Sequence, residues 1–177
     1  MPLVVSDAGP LIHLAQINKL LLLKTLFNRV VITPAVQREV VDEGLKCGHD
    51  DAMLVKQTID EGWIFIKDIP KAAVSTVKRL VEGENISQSD AETLLVAKEN
   101  KAELVLIDEK VLSDLAKMYG FEVWNTWTIL LEALRKGFIE LSGIESAIDE
   151  LGERRYKLKA EQGTEILEAA KLIDSIR

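Results

Sequence analysis

The chain has 177 residues, 47% of them hydrophobic and 29% charged, which is enough apolar material for one ordinary folded domain. Its net charge of −7 argues against a protein that holds nucleic acid through a generally basic surface, but not against an enzyme that acts on nucleic acid. The single cysteine, Cys47, excludes an internal disulfide, and no apolar run reaches the roughly 20 residues of a membrane span. With no signal-peptide pattern, we expect a cytoplasmic protein.

Short runs rich in Val and Ile alternate with longer helical patterns. The predicted strands are PLVVS (2–6), RVVIT (29–33), WIFIK (63–67), ELVLID (103–108) and FEVW (121–124). The helical patterns cover 17–27, 34–45, 49–62, 72–82, 87–101, 110–120 and 125–137, with stop signals at Gly44, Gly62, Gly120 and Gly137. This alternation predicts a three-layer α/β/α fold around a mainly parallel sheet.

The pattern changes near the C-terminus. Residues 142–155 and 159–176 are predicted as two helices with no strand after them, so we divide the chain into a domain at 1–140 and a helical extension at 141–177. Each helix has one apolar stripe, which either the body of the same chain or a second subunit must cover. We expect the extension to mediate association into a homodimer or higher oligomer. The basic run RRYKLK (154–159) between the helices is interpreted as a solvated junction rather than a phosphate contact.

Four acidic residues are expected at one edge of the sheet. Asp7 ends the first predicted strand and Asp108 the fourth. Glu39 lies about one and a half turns into the helix after the second strand, and Asp90 lies in the first turn of the helix that leads into the fourth strand. In open parallel sheets ligands bind beyond the carboxyl ends of the strands, so these four carboxylates are candidate ligands of a single site.

Carboxylates that share a site repel one another unless a cation neutralises them. Oxygen ligands favour a hard cation such as Mg²⁺ or Mn²⁺, which can activate water and neutralise charge on a phosphodiester. Structural alternatives stay open: Asp7 and Asp108 as helix caps, Asp90 as a partner of a helix dipole, and Glu39 as a solvated residue. Glu92, about 200° around the helix from Asp90, is expected to face away from the site.

The order and spacing of four segments resemble the PIN-domain nucleases, the fold of the VapC-type toxins. The segments are VVSDAGPLIHLAQI (4–17), VVITPAVQREVV (30–41), SQSDAETLLVAKENKAELVLIDEK (87–110) and FEVWNTWTILLEALRKGFIE (121–140). The resemblance implies that Asp7, Glu39, Asp90 and Asp108 are catalytic and bind Mg²⁺ or Mn²⁺. It also implies that Ser6 and Thr126 are hydroxyl residues that help to bind substrate.

The same resemblance implies a metal-dependent endoribonuclease. It also suggests a role as the toxin of a toxin–antitoxin pair, with an antitoxin protein as its partner. A catalytically inactive PIN-like binding or assembly module is the alternative. Two other α/β classes that gather acids at strand ends fit less well. A receiver domain requires an adjacent acidic pair after the first strand and a dehalogenase-type phosphatase requires Asp-x-Asp, whereas this chain has Ser6 before Asp7 and Ala8-Gly9 after it.

Overall fold

A five-stranded parallel sheet forms the centre of the computed structural model, which describes residues 3–177. The strands are β1 (Val4–Ser6), β2 (Val30–Ile32), β3 (Ile64–Ile66), β4 (Leu104–Leu106) and β5 (Glu122–Trp124). They lie in the order β3-β2-β1-β4-β5, and every neighbouring pair is parallel. All five predicted strands are present, and helices flank the sheet, which confirms the α/β/α prediction.

The register of the two central strands determines where the chain leaves the sheet. Ser6, the last residue of β1, pairs with Leu106, the last residue of β4. The N–H of Asp7 then donates to the carbonyl oxygen of Leu106 over 2.9 Å. The residues that follow β1 and β4 therefore emerge side by side, at the point where the strand order changes direction. Open α/β sheets form their ligand sites at such a point.

Eleven α-helices lie within the described residues, and the last three follow β5. They are α1 (Ala8–Gln16), α2 (Leu21–Phe27), α3 (Pro34–Gln37), α4 (Gly44–Lys46), α5 (Asp50–Asp60), α6 (Val74–Glu84), α7 (Gln88–Glu99), α8 (Lys110–Met118), α9 (Thr126–Arg135), α10 (Leu141–Glu153) and α11 (Ala160–Ile176). A π-helical segment, Arg38–Glu43, joins α3 to α4, and a 3₁₀ turn, Lys71–Ala73, precedes α6. No helix among residues 3–177 combines the length and the apolar character needed to span a membrane.

Three of the four predicted glycine stops are confirmed, because Gly62, Gly120 and Gly137 have positive φ angles after their helices. The stop predicted at Gly44 is wrong, since Gly44 begins α4 and the chain turns only at Gly48, where φ is +72°. A Cβ added to Gly44 would lie 2.7 Å from the Cβ of Ala52. Gly44 therefore permits close packing against α5 rather than ending a helix.

The two C-terminal helices pack on their own chain. Ile144, Ala147 and Leu151 of α10 and Ala170 of α11 are buried in the main hydrophobic core, together with residues of α1, α2 and α9. The apolar stripes are thus covered within the chain and do not themselves require a second subunit. The boundary at residue 140 and association into oligomers stay predictions.

Candidate active site

A cleft of about 570 Å³ opens above the carboxyl ends of β1 and β4. The four predicted acids, Asp7, Glu39, Asp90 and Asp108, all line it, as do Gly9, His13, Ser87, Ser89 and Tyr156. The structure therefore brings together side chains that come from five separate parts of the sequence. We call this space the acidic cleft.

Asp7 has the least compensated carboxylate in the acidic cleft. It is the N-cap residue of α1, but its side chain makes no capping hydrogen bond, and its buried Oδ1 has no hydrogen-bond partner. Burial raises the pKa of Asp7 from 3.8 to about 7, and the negative charge of Asp90 adds to the rise. Glu39 and Asp108 contribute in the same direction, while the N–H of Ala8 partly opposes them. The four acids are thus close enough for their charges to interact.

Asp108, in contrast, is held by three contacts. The N–H of Thr126 donates to its Oδ1 over 2.7 Å, and the Thr126 hydroxyl donates to its Oδ2 over 2.7 Å. Nδ1 of His13 lies 2.6 Å from the same Oδ2. The alternative in which Asp108 caps α8 is wrong, because Glu109 accepts hydrogen bonds from the first N–H groups of that helix. Asp108 is therefore fixed by α1 and α9.

The side of α1 that faces Asp108 presents Gly9 and, one turn later, His13. A Cβ added to Gly9 would lie 3.1 Å from the Cβ of Asp108 and 3.2 Å from its Oδ2. Any larger residue at position 9 would press on this carboxylate. The missing side chain of Gly9 thus lets α1 approach Asp108 closely enough for His13 to contact it.

His13 and Tyr156 were not predicted as site residues. Their rings stack with centroids 3.7 Å apart and planes 8° apart, and Tyr156 comes from the loop between α10 and α11. Burial and the negative charge of Asp108 raise the pKa of the Tyr156 phenol. Through Tyr156, the basic run consequently contributes one residue to the lining of the acidic cleft and is not only a junction between helices. The only indication in the sequence that His13 belongs to the site was its spacing of one helical turn from Gly9, shortly after Asp7.

Glu39 and Asp90 each accept a hydrogen bond from a neighbouring serine segment. Glu39 belongs to the π-helical segment, and its Oε2 accepts from the Ser89 hydroxyl over 3.0 Å. Asp90 forms a capping box with Ser87: the Ser87 N–H donates to Asp90 Oδ2 over 3.0 Å, and the Asp90 N–H donates to Ser87 Oγ over 3.1 Å. Asp90 thus takes part in capping α7, and the same residue lines the cleft. π-Helical segments occur frequently at functional sites.

Ser6 and Thr126, the two predicted substrate contacts, are fully buried behind the acids. The Ser6 hydroxyl donates to the backbone oxygen of Asp7 over 2.8 Å, and both donors of Thr126 are engaged with Asp108. Glu92 is also buried, as the acceptor of hydrogen bonds from the N–H of Ala35 and the amide of Gln88. Glu92 therefore joins α7 to α3 and is not among the residues that line the cleft.

A comparison with known protein families assigns this architecture to one of them. A family model for the PIN domain matches residues 3–172, which is nearly the whole chain. The chain belongs to the PIN-domain family. PIN domains are nuclease-type proteins and generally use divalent metal ions. A comparison with curated proteins found no match. The match to the PIN domain extends through α10 and into α11, the helices that deliver Tyr156 to the cleft.

The acids of this PIN domain suit a divalent cation by their chemistry. All four offer carboxylate oxygens, the ligands that Mg²⁺ and Mn²⁺ prefer, and Asp7 Oδ1 has no competing donor. Among residues 3–177, however, no three Asp, Glu, His or Cys side chains are already arranged around one point as metal ligands. The four carboxylates therefore suit the cation, but they do not yet form a complete coordination shell.

Proposed function

We propose that this PIN domain is a Mg²⁺- or Mn²⁺-dependent endoribonuclease that hydrolyses phosphodiester bonds in RNA. The observation that carries the proposal is the convergence of Asp7, Glu39, Asp90 and Asp108 on one cleft at the switch point of the sheet. Membership of a nuclease-type family supports the reaction class. The choice of RNA is supported by the resemblance of the four sequence segments to VapC-type ribonucleases.

The four carboxylates would hold the cation. A divalent cation in such a site neutralises charge on the phosphodiester and makes water a stronger nucleophile. The chain's own residues hold the ligands in place: Thr126 and His13 fix Asp108, Ser89 fixes one oxygen of Glu39, and Ser87 fixes one oxygen of Asp90. Such prior positioning reduces the reorganisation that binding and catalysis require.

The experiment is cleavage of a 5′-labelled single-stranded RNA by the purified protein with Mn²⁺, with Mg²⁺ and with EDTA. We expect cleavage with either metal, none with EDTA, and a loss of at least 100-fold in Asp7→Asn. Asp68→Asn is the matched control, since Asp68 follows β3 at the same end of the sheet but is exposed and outside the cleft. Equal cleavage by the wild type and Asp7→Asn would mean that the activity belongs to a contaminant.

A catalytically inactive PIN-like module is the second candidate. Two observations favour it: both oxygens of Asp108 already accept hydrogen bonds, and the described residues contain no closed metal site. In such a module, RNA would stay uncleaved whether or not Mn²⁺ raises the melting temperature of the wild type. Metal binding and cleavage measured on the same preparation separate the two candidates.

We further propose that the nuclease is the toxin of a toxin–antitoxin pair, on the resemblance to VapC-type toxins alone. An antitoxin protein would then be its partner, and its own association into a dimer is part of the same proposal. Expression in a bacterial host tests this role. We expect arrest of growth by the wild type and normal growth with Asp7→Asn at equal protein level, and normal growth in both cases would reject the toxin role.

A further inference from the structure

A second polar cavity adjoins the acidic cleft. It has a volume of about 400 Å³ and lies on the β4–β5 side, between α8, the beginning of α9 and the loop from α10 to α11. Its lysines are Lys110, Lys117 and Lys157, and its neutral polar residues are Ser113, Asn125, Thr128 and Gln162. We call this cavity the lysine groove.

The lysine groove and the acidic cleft share two residues, Asp108 and Tyr156. A chain that occupies both spaces would pass over Tyr156, whose ring is held by its stack on His13. The two cavities are therefore adjacent parts of one surface. A polymer bound with one unit at the carboxylates would place its next units in the groove.

The groove also contains the carboxylate of Asp114, and two of the three lysines form no salt bridge with it. Lys110 is paired with Asp114 over 2.6 Å. Lys117 and Lys157 are exposed, and neither forms a salt bridge with a carboxylate in the part of the chain that the structure describes. Three lysines against two aspartates nevertheless make the lining of the groove locally basic in a protein with a net charge of −7. Ammonium groups in this arrangement suit phosphates spaced along a strand.

Two N–H groups at the beginning of α9 are already used. Its Thr126 N–H is already used by Asp108, and the N–H of Thr128 is capped by the Asn125 side chain. Trp127 lines the groove but is only 4% exposed, so its ring is not available to stack on a base. The lysines are thus the positively charged groups available to a phosphate, which makes sequence-independent backbone contact the expected mode of binding.

We propose that the lysine groove binds the phosphates of single-stranded RNA on one side of the scissile bond, with Lys117 and Lys157 as the phosphate contacts. This rests on the proposed ribonuclease function and adds to it a direction for the strand. The RNA leaves the acidic cleft over Tyr156 toward β5 and not toward β3, the opposite edge of the sheet. Lys157 belongs to the basic run interpreted from the sequence as a solvated junction, and the groove gives that residue a role.

The test measures binding without cleavage. A fluorescein-labelled 12-nucleotide oligouridylate is titrated with the full chain in EDTA, and anisotropy gives Kd at several NaCl concentrations between 50 and 200 mM. We expect the double variant Lys117→Gln/Lys157→Gln to bind roughly tenfold more weakly, and its plot of log K against log salt to be shallower by about 1.4, since each single-strand phosphate contributes about 0.7. Both side chains are exposed, so the substitutions leave the fold intact.

Lys67→Gln is the matched control. Lys67 follows β3, so it lies at the same end of the sheet but at its opposite edge, and it is exposed. We expect its Kd and salt slope to equal those of the wild type. The proposal is overturned if the double variant binds like the wild type, if Lys67→Gln loses as much affinity as the double variant, or if the wild type does not bind the oligomer.

The same proteins with Mn²⁺ keep this inference separate from the proposed function. Cleavage by the wild type together with unchanged binding by the double variant rejects the groove and retains the ribonuclease. Weaker binding by the double variant together with no cleavage by the wild type rejects the ribonuclease and retains the groove as a site for single-stranded RNA.

Discussion

Asp7 and Asp108 follow neighbouring strands and line the same cleft, yet Asp108 has three hydrogen-bonding contacts whereas Oδ1 of Asp7 is buried without one. The same substitution of Asn for Asp therefore removes different interactions at the two positions. At Asp7 it removes a poorly solvated charge that other acids repel. At Asp108 it disrupts contacts that hold α1 and α9 together.

The first prediction concerns Asp7→Asn. Above pH 7 the metal-free variant should melt at a higher temperature than the wild type, because the uncompensated charge is gone. The stabilisation by Mn²⁺, which for the wild type reaches about 2.7 kcal/mol at 100 times Kd, should be mostly lost. Differential scanning fluorimetry with EDTA and with Mn²⁺ measures both effects. Asp68→Asn should behave like the wild type, and a full Mn²⁺ response in Asp7→Asn would remove Asp7 from the metal site.

Asp108→Asn should act in the opposite direction on the metal-free protein. An amide has only one acceptor oxygen, so it cannot accept from both donors of Thr126 and also contact His13 in the same way. We expect a loss of about 2 kcal/mol in the free energy of unfolding, measured by urea denaturation in EDTA. Thr126→Val, which removes one of the donors, should lose part of the same stability. A gain in stability for Asp108→Asn would show that the hydrogen bonds to this residue contribute little.

The raised pKa of Asp7 predicts a pH dependence. The folded state keeps the proton up to about pH 7, while the unfolded chain releases it near 3.8, so folding takes up a proton between these values. The metal-free stability from this group is full below about pH 4 and is lost as pH rises through 7. The loss is on the order of 4 kcal/mol at most. Urea denaturation in EDTA at pH 5 and pH 8 should give a wild-type decrease that exceeds that of Asp7→Asn. Equal decreases would contradict the shift.

Glu92→Gln should destabilise the fold without weakening the response to metal. Glu92 is buried and accepts hydrogen bonds from Ala35 and Gln88 that connect α7 with α3. Because charged acceptors form the stronger bonds, we expect a loss of about 1–2 kcal/mol. Glu99→Gln, an exposed substitution in the same helix, is the control for the change of charge. A reduced thermal shift with Mn²⁺ in Glu92→Gln would mean that this residue reaches the metal after all.

Removal of residues 142–177 tests the proposed boundary after residue 140. The deletion uncovers the surface of α9 and the core positions that Ile144, Leu151 and Ala170 fill, and it removes Tyr156 from the cleft. We expect a poorly soluble or aggregated product, because a large apolar surface becomes exposed. Static light scattering compares it with the full chain. A soluble product with the same number of subunits would show that residues 1–141 fold alone.

Most of the fold could be predicted from the sequence, because buried parallel strands leave continuous apolar runs such as LVLI. The positions of Asp7 and Asp108 directly after two such runs predict their place at the sheet edge. Glu39 and Asp90 depended in addition on where their helices begin, and Thr33 and Ser87 mark those beginnings as capping residues. Local signals were therefore sufficient to bring the four acids to one cleft.

The rest of the site depends on contacts between distant segments, which local patterns do not encode. Tyr156 reaches His13 because α10 and α11 fold back over α9, and a basic run gives no indication of that path. Helix geometry correctly predicted that Glu92 faces away from the cleft. Its burial could not be foreseen, since it depends on the position of α3 in space. The stop predicted at Gly44 is wrong because the sequence alone does not distinguish a glycine that permits close packing from one that ends a helix.

The pairing of β1 with β4, Val4 beside Leu104, also has a kinetic consequence. Because closing so long a loop costs entropy before the contact forms, we expect the acidic cleft to form at a late step of folding. A cation that binds only the completed cleft should slow unfolding and leave the rate of refolding unchanged. Stopped-flow measurements with Mn²⁺ and with EDTA would detect this difference, and faster refolding with Mn²⁺ would show that the carboxylates meet before the sheet is complete.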